Sequence, residues 1–180
     1  MSRKGELLPA RKVLESLVKA APQHFNGRFN LALVYDALGL RDSAINAYRE
    51  VLIVNPTDPV THFNLARLLG EEGQFGEAIQ HCDVCIEACF ERARASFYKA
   101  RSLTFLDRGN EALQVLRSAA QMEKHSEPLW FALAEFEERA GNRAEALQAA
   151  SHCRRLLIDS GEQCSSKFGD VERMLNRLSR

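Results

Sequence analysis

The segments DSAINAY (42–48), GEAIQHC (76–82), NEALQVL (110–116) and AEALQAA (144–150) repeat one pattern along the chain. Their alanines, Ala44, Ala78, Ala112 and Ala146, lie 34 residues apart. A second alanine column, Ala32, Ala66, Ala100 and Ala134, keeps the same step. A third column holds Gly39, Gly73, Asp107 and Gly141. Three columns in one phase without insertion dictate stacked copies of a single small unit, each too short to bury its apolar face alone.

Within each copy the apolar spacing is helical, as in Ile45, Tyr48, Val51 and Leu52. Two helices that cross closely need small side chains at the crossing, which the alanines supply. The chain must then turn through a left-handed residue, which glycine adopts freely and aspartate better than most. Pro56 stops a second helix. The spacing predicts helices near 26–38, 42–54, 60–72, 76–89, 93–106, 110–122, 127–140 and 144–158.

This frame resembles the tetratricopeptide repeat, with full units at 25–58, 59–92, 93–126 and 127–160. Trp130 sits where that family has a large residue early in the first helix; Arg28, His62 and Ser96 stand there in the other units. Leu31, Leu65 and Leu133 fill the next signature column, from which Lys99 departs. Tyr35 holds the aromatic position, with Leu69 and Leu103 substituting and Glu137 departing. The resemblance implies an all-α, right-handed superhelix of antiparallel helix hairpins.

The frame also reaches backwards. Gly5, Ala10 and Pro22 lie 34 residues before Gly39, Ala44 and Pro56, so 1–24 reads as the second helix of a preceding repeat, at about 8–20. Either the chain continues a longer array or that helix caps it; a lone half-repeat exposes its partner's seat, which favours the longer array and leaves self-association open. At the other end, 161–180 reads as a capping helix from Cys164 to Leu178, apolar through Phe168, Val171, Leu175 and Leu178 and charged on its other face.

The resemblance further implies that first helices line a concave groove and that certain frame positions meet a ligand. At those positions stand Phe29, Phe63, Phe97 and Phe131, then Asn30, Asn64 and Tyr98, with Arg67, Arg94 and Arg101 between them and Glu135 in the fourth unit. Asparagine amides can pair with an extended backbone, arginines with carboxylates and phenylalanines with apolar side chains. The same phenylalanines could instead fill the seam between helices, and the arginines could pair with Glu71 or Glu135. The family's chaperone-tail clamp is not expected: Asn64 and Arg94 match its pattern, but Phe29, Leu33 and Tyr98 do not.

Composition narrows the function classes. Lys+Arg and Asp+Glu are 24 each, without the basic excess of a general nucleic-acid binder. No apolar run is long enough for a membrane span, and no signal peptide is visible in the N-terminal sequence. The expected compartment is the cytoplasm. Cys82, Cys85 and Cys89 share a helix face beside His81, but Cys82 and Cys85 occupy packing columns, and no second Cys-x-x-Cys completes a zinc set. Phosphate loops, nucleophile elbows and His-Glu-x-x-His motifs are missing from the sequence. The expectation is a non-enzymatic scaffold or adaptor, without cofactor or metal, that binds a protein or peptide bearing acidic groups. The alternative is the adaptor arm of a larger enzyme, such as a transferase or hydroxylase.

Overall fold

The computed structural model describes residues 3–163 and 165–180, with side chains from Glu6 onward. Every regular element among them is helical: α1 (Arg3–Ala20), α2 (Phe25–Ala37), α3 (Arg41–Val54), α4 (Pro59–Glu71), α5 (Phe75–Glu87), α6 (Arg92–Phe105), α7 (Gly109–Met122), α8 (Glu127–Arg139), α9 (Arg143–Asp159) and α10 (Ser166–Leu178). The chain forms two compact units, one ending at Phe90 and the other running from Glu91 to Arg180. In each, consecutive helices pair and the pairs stack as in tetratricopeptide solenoids.

The alanine columns explain the stacking. Ala32, Ala44, Ala78, Ala100, Ala112, Ala134 and Ala146 are wholly buried and Ala66 nearly so. A larger side chain at any of them would separate two helix axes. Around this spine the first unit buries Tyr48, Leu65, Leu68 and Leu69, and the second buries Leu103, Leu116, Leu129 and Leu157.

The turns inside the hairpins are near copies of one another. Gly39, Gly73 and Gly141 have φ of 76°, 77° and 81°, and Asp107 has 57°. After each, an amide reaches back to the carbonyl five residues earlier: Leu40 to Tyr35, Gln74 to Leu69, Arg108 to Leu103 and Asn142 to Glu137, at 2.8–2.9 Å. That bond satisfies a carbonyl the helix end would otherwise leave open.

Boundaries fall within two residues of the sequence expectation except at the start of α1. Helix α1 begins at Arg3 rather than near residue 8, because Pro9 removes one hydrogen bond without ending the helix, its ring lying at the exposed surface. Helix α10 begins at Ser166, where the Ser165 hydroxyl accepts the Phe168 amide proton at 3.2 Å. Cys164, the expected start, lies outside the described residues. The outer face of α1 leaves Leu8, Val13 and Leu17 exposed, whereas Ala47 and Val51, one period beyond Val13 and Leu17, are buried.

Candidate functional site

Helices α6 and α8 present matching faces one period apart. Ala93 and Glu127, Arg94 and Pro128, Phe97 and Phe131, and Tyr98 and Ala132 lie side by side around a cavity of about 460 Å³ in the second unit. Cys153 and Leu157 of α9 add to its lining, and Lys167, Asp170 and Val171 of α10 complete it. Most of the lining is apolar, since Phe97, Phe131, Ala132, Leu157 and Val171 make up much of it. Its depth follows from the small residues Ala93 and Ala132 beside large rings.

Charged groups surround this apolar lining. Lys167 Nζ lies 3.5 Å from Glu127. Arg94 pairs with Glu91 at 3.4 Å, and Asp170 pairs with Arg173. Glu135 on α8 lines the cavity half-buried. Phe97 meets Phe136 edge-on at 6.3 Å, which holds its ring against the wall. Arg101 lies over the Tyr98 ring at 5.1 Å, outside the cavity lining.

Arg94, Phe97, Tyr98, Phe131 and Glu135 therefore come together in one cavity. The remaining expected residues, apart from Arg101, belong to the first unit. There Phe63 is only 7% exposed and meets Phe90 edge-on at 6.1 Å, so it fills the seam between helices. Phe29 is half-buried against Phe25 and Tyr48. Asn30 is exposed and Asn64 half-buried. Arg67 is held by Asp36 and, at 2.9 Å, by Glu71.

Two arrangements were missed from the sequence. The first fills the position where tryptophan seemed absent. Trp130 Nε1 donates to the Lys124 carbonyl at 2.9 Å, His62 Nε2 to the Pro56 carbonyl at 2.9 Å and Arg28 Nε to the Pro22 carbonyl. Each donor lies six residues after its acceptor, so the common element is an N–H and not an indole. The second is Glu137, 1% exposed, whose carboxylate accepts two bonds from Arg117 at 2.6 and 2.9 Å and one from Asn142 at 2.7 Å. Tyr35 hydroxyl and Glu15 meet at the equivalent place, 3.0 Å apart. Both pairs are 20 residues apart in sequence, and that spacing with complementary polarity could have found them.

Cys82 and Cys85 are wholly buried and Cys153 nearly so. Burial pushes the Cys85 thiol up to about 12 and that of Cys153 up to about 11, where neither is a thiolate near neutrality. Their sulfurs contact the carbonyls of Pro59 and Glu127, each at 3.5 Å and each at the first position of its repeat. Cys89 is exposed. Among the described residues no three His, Cys, Asp or Glu side chains are grouped to hold a metal ion.

Two family models described as tetratricopeptide repeat match residues 26–58 and 47–80. Residues 26–80 are thus tetratricopeptide repeats. Solved structures agree in fold. A crystal structure of MamA is similar with a TM-score of 0.78 at 15% identity, over 90% of this chain and 98% of that one. PilF of Pseudomonas aeruginosa gives 0.70 at 14% identity, over 98% and 82%. PilW, titled a widely conserved type IV pilus biogenesis factor, gives 0.68 at 18%, over 87% and 72%. No curated protein matches the sequence. Tetratricopeptide repeats support a general role as a protein-interaction scaffold.

Proposed function

We propose that the chain is an adaptor that holds a peptide segment or partner helix in the cavity between α6, α8 and α10. The observation that carries this is the cavity itself: about 460 Å³, largely apolar, and edged by charged side chains. Cavities of that size and lining take one or two apolar side chains while polar groups at the rim set orientation. Arg94 is already paired with Glu91 and Arg67 with two carboxylates, so acidic ligand groups would have to displace existing partners. Affinity is therefore assigned to the apolar lining first, with the charged rim setting orientation.

Nothing in the cavity motivates a catalytic role, and none is proposed. No described helix is long and apolar enough to cross a membrane. The cytoplasm is our proposed compartment, to be checked by imaging the tagged chain.

Ala93→Trp would plug the cavity while keeping the rings of its wall, and should reduce partner capture at least about tenfold, the loss expected when a central anchor is excluded. Arg94→Glu/Arg101→Glu should change it less. Crosslinking with mass spectrometry from native extract would identify the partner first, and circular dichroism would verify each variant's fold. Undiminished capture by folded Ala93→Trp would remove the cavity from the function.

A further inference from the structure

Five charged side chains line the cavity: Arg94 and Lys167 against Glu127, Glu135 and Asp170. Lys167 is paired with Glu127, Arg94 with Glu91 and Asp170 with Arg173. Among the described residues Glu135 has no hydrogen-bond or ion-pair partner. The cations nearest along the fold are already engaged. Arg139, one turn further along α8, lies over the Phe136 ring at 5.8 Å. Arg177 of α10 makes two 2.7 Å bonds to Glu138 and reaches Glu135 only as a longer-range charge.

A ligand closing over this cavity would strip water from the half-buried Glu135 carboxylate. A purely apolar side chain would leave that charge without compensation, and an acidic one would add repulsion from three carboxylates. A long side chain with an apolar stem and a cationic end meets both demands, because its stem covers aromatic rings while its head pairs with the acid. Resting on the reading that the cavity accepts a peptide, we propose that the side chain it takes is a basic one, lysine or arginine, with its stem against Phe97 and Phe131 and its head on Glu135. This reverses the ligand charge expected from the arginines of the sequence.

Three acetylated, amidated pentapeptides test the proposal: Gly-Leu-Lys-Leu-Gly and its versions with norleucine or glutamate at the centre. Each would be titrated into the whole chain while the methyl NMR signals of Leu157 and Val171 are followed. The lysine peptide should bind about tenfold more tightly than the norleucine peptide, as a charge-assisted bond in a partly desolvated site allows. The glutamate peptide should bind most weakly. Glu135→Gln should erase the lysine advantage, by weakening the lysine peptide and strengthening the norleucine peptide. Equal binding of lysine and norleucine peptides, preference for glutamate, or a lysine advantage that survives Glu135→Gln would each overturn the charge assignment and leave the cavity as a peptide site. If none of the peptides moves either methyl signal, the cavity reading fails and this proposal fails with it.

Discussion

His62 and His81 meet with their Nδ1 atoms 2.7 Å apart, and His62 Nε2 lies 2.9 Å from the Pro56 carbonyl. A carbonyl can only accept, so His62 Nε2 carries a proton, and in the neutral ring its Nδ1 then accepts from His81. The far nitrogen of His81 faces Glu77 at 3.6 Å, and Glu77 is held by Arg49 at 2.8 Å. Burial, and then the neighbouring His62, depress the His81 pKa below the ordinary histidine value. A depressed histidine takes up its proton more readily in the unfolded chain. Stability from this group is therefore full above about pH 6.5 and is lost as pH falls from there through the lower folded value. Urea melts from pH 7.5 to 5 should show this decline, with a shallower slope for His81→Gln; an unchanged slope would reassign the dependence. Glu77, itself depressed chiefly by its bond from Arg49, adds a loss only at lower pH, in the carboxylate range.

Hairpin geometry was legible because each turn depends on one residue. Three glycines and Asp107 adopt the left-handed conformation their column required. Asp107 is the poorest fit, since a side chain in that region is strained. Asp107→Gly should raise stability by about 0.5–1 kcal/mol despite the greater freedom of the unfolded chain, measured by chemical denaturation. Loss of stability would mean that the aspartate side chain contributes more than its backbone costs. The segment joining α5 to α6 was not legible. Cys89 and Glu91 take positive φ of 55° and 45° there, residues without a turn signature at positions where no proline ends the helix. The Phe90 amide nonetheless bonds back to the Cys85 carbonyl at 2.9 Å, repeating the closure used at the glycine turns.

Across the whole molecule, stability should be distributed and not concentrated in one core, because each hairpin is stabilised mainly by its neighbours. Helix α10 contributes the buried Val171, Met174, Leu175 and Leu178 to the second unit. Leu175→Asp places a charge among them and should destabilise by about 3 kcal/mol or more. Hydrogen exchange should then accelerate most in α9 and α10 while amides of α3 and α4 stay protected. Uniform acceleration through both units would instead indicate all-or-none unfolding. The same helix accounts for the part of the cavity that the repeat frame could not supply. Lys167, Asp170 and Val171 lie beyond the last full period, so no column assigns them a place.

Period alone specified the hairpins, their alanine crossings and their left-handed turns, because each depends on residues a fixed distance apart. The family resemblance, and not the period, pointed to the face bearing Phe97, Tyr98, Phe131 and Glu135. Whether a side chain on that face packs inward or lines a cavity depends on neighbours distant in sequence. Phe63 and Phe97 share a column, yet one fills a seam and the other walls a pocket. Charge followed the same rule: Arg67 and Arg94 found acids within the fold, while Glu135 makes no direct ion pair and feels Arg177 only at longer range. Packing of helices from different repeats set those outcomes, through contacts that the repeating pattern does not encode.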